Sequence, residues 1–264
     1  MHRALIVIPI LIAAALLPVA AHDFWIEPST FRPDPGSTVS AQLLVGENFR
    51  GDPYPHNDEH IQRFFLHGPK GEIPFEGSQG EDPAGVAEVG SAGLQWIGYL
   101  SRETVVDLGP DKLATYIGQV GLEPFFKGDP AKPIRDHFSR CAKSLLLAGP
   151  ARSGEKGFDR RFGFPLELIA EADPYALGKN AVLPVRLLHD GKPLADALVV
   201  AIEKSRPEAS AVRVRTDAQG RARLALSSSG AWLVKAVWIG ALRDRPAEYE
   251  SWWASLTFEL PASP

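Results

Sequence analysis

The chain has 264 residues, 45% hydrophobic and 23% charged, a balance that belongs to a folded protein and argues against disorder. Its net charge of −4, with no basic stripe, argues against nucleic acid as a partner. The 24 Gly and 23 Pro exclude a bundle of long helices, and the single cysteine, Cys141, excludes an intrachain disulfide.

Residues 1–21 have the three-part layout of a secretory signal peptide. Arg3 is followed by an apolar run over 4–17, interrupted only by Pro9, and then by Pro18-Val19-Ala20-Ala21. The run is shorter than the roughly 20 residues a spanning helix needs. Small residues at −1 and −3 place the cut after Ala21, and no cysteine at the junction offers a lipid anchor. The expected product is a periplasmic or secreted chain that begins at His22 and does not span the membrane. Met1 is the only methionine, so that product has none.

In the first half, alternation predicts strands at 24–26, 38–45, 61–66, 73–75, 94–100 and 103–107. A helix is expected at 111–121, with Leu113, Tyr116, Ile117 and Val120 on one face. A second is expected at 134–147, because Ile134, Phe138, Cys141, Ala142, Leu145 and Leu146 recur at helical spacing. That register places Cys141 in the core, and Arg135, Asp136, Ser139, Arg140 and Lys143 outside. Residues 149–157 (GPARSGEKG) read as a linker, with a boundary near 155.

The second half reads as β throughout, with seven strands at 166–170, 182–188, 197–203, 212–215, 222–226, 231–239 and 252–260. Turn signals stand at Asp190-Gly191 and at Asp217-Ala218-Gln219-Gly220. The expected fold is mainly β. It comprises two β-sandwich-like domains, 22–155 with two helices at its end and 156–264 with a transthyretin/Ig-like sandwich.

The candidate metal ligands are histidines. At a free N-terminus His22 offers an amine and an imidazole in one chelate, a pair that suits Cu(II) or Ni(II). The amine pKa of about 8 lets a metal displace its proton. His56 and His60 flank Asn57-Asp58-Glu59 in a Pro-rich loop and are candidates to complete the shell, or else belong to a polar surface loop. If the strand at 24–26 pairs antiparallel with that at 38–45, His22 lies beside the start of this loop. His67, His137 and His189 read as turn or helix residues. Arg140 and Lys143, three apart on a helix face, either bind an acidic partner or pair with nearby carboxylates. Trp238, Trp252 and Trp253 suggest a sugar-stacking platform, although adjacent strand residues point to opposite faces. No G-x-S-x-G, no phosphate-cradling loop and no H-E-x-x-H is present, so no enzyme is expected.

Several motifs stand in a distinctive order: His22-Asp23-Phe24-Trp25-Ile26-Glu27-Pro28, Val45-Gly46-Glu47-Asn48-Phe49, Ile97-Gly98-Tyr99, the run from Phe138 to Leu146, Asp173-Pro174-Tyr175 and Gly230-Ala231-Trp232-Leu233-Val234-Lys235. Together they resemble the DUF4198 family of bacterial secreted proteins, over nearly the whole exported chain. Members of that family are often labelled periplasmic components of nickel or cobalt uptake. The resemblance implies a non-enzymatic periplasmic protein that binds Ni2+, Co2+ or Cu2+ and serves a membrane metal-transporter component. Two alternatives stand beside it. One is a metal-free interaction or carbohydrate-binding sandwich; the other is a copper protein with an N-terminal histidine brace.

Overall fold

The computed structural model describes residues 22–150, 154, 156–178, 180–245 and 247–262; the expected signal peptide lies outside them. In chain order they form β1 (Asp23–Pro28), β2 (Thr38–Glu47), β3 (Arg50–Pro53), β4 (Ile61–Gly68), β5 (Gly71–Pro74), β6 (Gly85–Glu88), β7 (Gly93–Ser101), β8 (Thr104–Leu108), helix α1 (Pro110–Val120) and β9 (Ile134–Ala148). There follow β10 (Leu166–Ala170), β11 (Ala181–His189), β12 (Lys192–Pro193), β13 (Leu198–Glu203), the one-turn helix α2 (Pro207–Ser210), β14 (Val212–Arg215), β15 (Arg221–Leu226), β16 (Gly230–Ala241) and β17 (Glu248–Leu260). The fold is mainly β, 53% strand and 7% helix. No helix among the described residues is long and apolar enough to cross a membrane.

Three sheets stack in layers. The front sheet has β2 flanked by β1 and β3, with β6 also on β2. The back sheet has β11 flanked by β10, with β12 and β15 also on β11. Between them runs a nine-stranded sheet in the order β14-β13-β16-β17-β9-β7-β4-β5, with β8 also on β9. β17 pairs with β9 in parallel, so this one sheet crosses the linker segment near residue 155. One apolar cluster fills the space between the front and central sheets. A second lies between the back and central sheets.

The segment 134–147, expected as a helix, is instead the strand β9, buried almost throughout. It occupies the middle layer, so both its faces are covered. Ala142, Leu146 and Ala148 enter the front cluster, while Leu145 and Leu147 enter the back one. Burying one Leu contributes roughly 1.5–3 kcal/mol, so a segment with Leu on both faces gains more in a middle layer than as a one-faced helix. The "outer" helix face is lost with it. Asp136, Ser139, Arg140 and Lys143 are all buried. Arg140 and Lys143, three apart on a strand, point to opposite faces.

The first expected helix is present as α1. Pro110 starts it, Leu113, Tyr116 and Val120 are buried, and Gly121 ends it in the left-handed conformation at φ 70°.

Cys141 is buried as expected, although on a strand. Desolvation pushes its thiol up to about 12. Native protein is therefore expected to resist a thiol reagent and to react only once denaturant is added. Rapid native labelling followed by mass spectrometry would contradict that burial.

Candidate ligand-binding cleft

Alternation along β9 builds the site. Its front-facing residues run from Ala142, in the dry core, through Arg140, Phe138 and Asp136 to Ile134, which packs on α1. Between those two apolar ends the front sheet and the central sheet part, leaving a cleft of about 630 Å³. Arg140, Phe138, Asp136 and the β17 residue Trp253 line it from the central sheet. Val45 and Gly46 of β2, residues 50–53 of β3 and Tyr54 line it from the front sheet. Tyr116 of α1 and Val106 and Leu108 of β8 add to the wall.

The β2–β3 hairpin is fitted to this position. Gly46 faces Gly51, and a Cβ on Gly51 would come within 2.7 Å of the Trp25 ring. Its turn residues Asn48 and Phe49 have φ of 51° and 59°, the pair of positive values a tight hairpin needs. Such a conformation is strained for Phe49. Burial of its ring edge-on to Trp25, at 5.5 Å, offsets the strain.

Arg140 is the unusual side chain. It is 9% exposed, and among the described residues no carboxylate lies within ion-pairing distance of it. Its guanidinium carbon lies 4.7 Å from the Phe24 ring, 4.9 Å from Tyr54 and 5.3 Å from Phe138. Desolvation lowers its pKa, and its polar neighbours are the Tyr54 and Tyr99 hydroxyls. The Tyr99 hydroxyl is buried without a hydrogen bond.

Two residues along the same face sits Phe138, and two further Asp136, which is 2% exposed. Ser251 Oγ donates to Asp136 Oδ2 at 2.7 Å, whereas Oδ1 is buried and unpaired. Burial pushes this carboxyl up to about 7. Trp253 pairs directly with Arg140 across β17 and β9, yet its Nε1 donates to Ser251 Oγ at 3.2 Å. The indole thus runs from the Arg140 level toward the Asp136 level. Tyr116 stacks on it at 5.3 Å and 4°.

Of the three histidines proposed as metal ligands, only His22 lines the cleft. β1 pairs antiparallel with β2, Asp23 opposite Gly46, and this brings His22 onto the cleft wall. Lys235 holds the start of the strand by an ion pair with buried Asp23. His56 does not line the cleft. It is buried, with Nδ1 at 2.6 Å from the Ala84 carbonyl and Nε2 at 3.0 Å from Asp58 Oδ1, so both ring nitrogens are engaged. His60 meets the cleft only through the Tyr54 hydroxyl, which contacts its Nδ1. Among the described residues no group of three or more His, Cys, Asp or Glu is placed to hold a metal ion.

The remaining candidates are structural in their surroundings. His137 faces the other side of β9 and bridges Glu103 and Glu248. His67 packs 5.5 Å from the Phe162 ring, and His189 lies against the Trp238 ring at 3.9 Å, tilted by 30°. Trp238 and Trp252 lie opposite one another on β16 and β17 and pack on the back cluster, so only Trp253 reaches the cleft. Asp136, Tyr54 and Tyr116 were not singled out by sequence as a site, and Trp253 only as one of three tryptophans. The signal for them is the period-2 spacing of Asp136, Phe138 and Arg140, which is legible only once the segment is known to be a strand.

The chain belongs to the DUF4198 family, a domain of unknown function, whose profile matches residues 19–240. No curated protein matches it. Among solved structures, the tetra-tandem repeat in the extending region of a large adhesion protein is 11% identical, with a TM-score of 0.22 over 92% of this chain and 50% of that one. The alpha-2-macroglobulin of E. coli is 11% identical with a TM-score of 0.22, over 93% of this chain and 17% of that one. That of Salmonella is 13% identical with a TM-score of 0.23, over 92% and 16%. The chain therefore spans half or less of each of these proteins.

Proposed function

We propose that this DUF4198 protein is a periplasmic, non-catalytic binding protein that takes a divalent transition metal, Ni2+, Co2+ or Cu2+, at the mouth of its cleft and serves a membrane uptake component. The observation that supports this reading is the position of His22. The residue expected to become the N-terminus lines the cleft, rather than trailing into solvent. After cleavage its amine and imidazole would open onto that cleft as one chelate. Asp52 lines the same cleft and supplies a further oxygen donor. Water or a small ligand in the cleft fills the remaining positions. A histidine brace would need a second histidine facing the first, and neither His56 nor His60 lines the cleft.

The test is calorimetric titration of the exported chain, beginning at His22, with each metal. His22→Ala is expected to weaken Ni(II) or Cu(II) binding at least about tenfold, equivalent to about 1.4 kcal/mol. Acetylation of the terminal amine should do the same, because it removes half the chelate. Affinity unchanged by both alterations, or no binding at millimolar metal, refutes the metal reading.

A further inference from the structure

We infer that the cleft binds a small monocarboxylic acid with a flat apolar body, its carboxylate on the Arg140 guanidinium and its body along Trp253 and Phe138. The inference rests on the binding reading above and names an organic occupant for the same cleft, one that needs no metal.

The argument begins with an unmatched charge. Of the two buried cations among the described residues, Lys143 lies against Glu167, while Arg140 has no carboxylate. A guanidinium withdrawn from water without a counter-charge is costly to keep. Three aromatic faces, Phe24, Tyr54 and Phe138, partly compensate it through their ring quadrupoles. They hold it in place without neutralising it. Arg140 also lines the cleft rather than a closed core, so an anion can reach it. Its planar fork matches a carboxylate through two parallel hydrogen bonds.

The rest of the cleft selects the ligand's body. From Arg140 to Asp136 is four residues of strand, about 13 Å between Cα atoms. Between those ends lie Phe138 and the indole of Trp253, backed by Tyr116 at 5.3 Å. Such a surface suits a ring or another flat apolar group. At the far end, Asp136 keeps one carboxyl oxygen buried and unpaired. A carboxyl buried there offers no cation to a second negative charge and repels one wherever it is ionised, which is why the acid is a monocarboxylate and not a diacid or phosphate. A hydroxyl or amide at that end would meet the open oxygen.

The experiment uses phenylacetate and phenylacetamide, which share a shape and differ in charge. Each is titrated into the exported chain in EDTA, read by calorimetry and by tryptophan fluorescence. Phenylacetate is expected to bind, and phenylacetamide to bind at least about tenfold more weakly. Arg140→Gln is expected to abolish that preference. Equal binding of acid and amide overturns the inference without recourse to any variant. So does unchanged acid binding by Arg140→Gln, or no acid binding up to about 10 mM. His22→Ala separates the two readings. Acid binding in EDTA that survives His22→Ala supports the Arg140 site even if no metal ever binds. Acid binding that needs a metal, or vanishes with His22, places the carboxylate on the terminus and refutes the Arg140 site.

Discussion

Replacement of Lys143 by Met is expected to destabilise the protein by about 3–5 kcal/mol, because it leaves a buried carboxylate without its cation. Lys143 is 1% exposed and lies on the back-facing side of β9. Its Nζ donates to Glu167 Oε1 at 3.1 Å and to the Arg160 carbonyl at 3.2 Å, and sits 4.9 Å from the Trp96 ring. Glu167, on β10, also accepts the backbone N–H groups of Phe162 at 2.7 Å and Gly163 at 3.1 Å. The pair therefore ties the central sheet to the back sheet and fixes the chain just before β10. Methionine keeps the stem's volume and loses the charge, so the cavity contribution is small and the loss isolates the unpaired carboxylate. The companion change Glu167→Gln should restore part of the stability in the double variant, since it removes the uncompensated charge while the amide oxygen still accepts from one of the two backbone N–H groups. Urea unfolding of the two single variants and the double variant measures this cycle. A Lys143→Met loss below about 1 kcal/mol, or a double variant no better than the single, would show that the pair does not hold the layers together.

That pair also shows where sequence reading stops. Strands with one covered face were legible by their alternation. β15, for example, alternates Arg221, Arg223 and Ala225 outward against buried Ala222, Leu224 and Leu226. α1 was legible because Leu113, Tyr116 and Val120 make a single stripe between a Pro start and a Gly stop. β9 was not, because a strand covered on both faces has no period of two. Its apolar run from Leu145 to Ala148 satisfies a helical template as well as an extended one. Its polar residues supplied the remaining helical spacing, but each answers to a distant partner: Asp136 to Ser251, Lys143 to Glu167, Arg140 to the cleft. Such partners are invisible to a local pattern.

The site was legible in the same uneven way. The antiparallel pairing of β1 with β2, only a condition at the level of sequence, is present in the fold and carries His22 to the cleft wall. His56 has ligand-like neighbours in sequence, yet its ring is taken up by Ala84 and Asp58 within its own loop region. Composition shows that a histidine is present but not whether its nitrogens are already engaged. The cleft itself lies between elements from both halves of the chain, with β9 and β17 below and β2 and β3 above. No single window of sequence contains it.

The second large effect is expected at Asp136, as a dependence of stability on pH. In the unfolded chain this carboxyl has its ordinary value of 3.8, and in the fold burial raises it to about 7. Below about pH 4 both states hold the proton and the fold carries no penalty from this group. Between about 4 and 7 the unfolded chain releases the proton while the folded one retains it, so the folded state binds more protons and stability falls as pH rises. Above about 7 the loss is complete, and the interval corresponds to about 4 kcal/mol. The groups around Asp136 are consistent with that sign. Ser251 of β17 donates one hydrogen bond and His137, next to it on β9, lowers the value, but desolvation outweighs both. Tyr116 of α1 brings an unionised phenol, with its own pKa raised by burial. Arg140, four residues along the same face, lies too far along the strand to pair with it. Asp136→Asn removes the titration while keeping a group that can accept from Ser251. The variant should therefore match the native protein near pH 4 and exceed its stability by a few kcal/mol at pH 8. Subtracting the two urea-unfolding profiles cancels the titrating groups that do not act on Asp136, and leaves its own titration with the smaller contribution of His137. A flat difference between pH 4 and 8 would mean that Asp136 is ionised in the fold at the ordinary carboxylate range. A difference that rises through the interval would mean that the cleft keeps a neutral carboxyl at its inner end, a group able to donate a hydrogen bond to whatever enters.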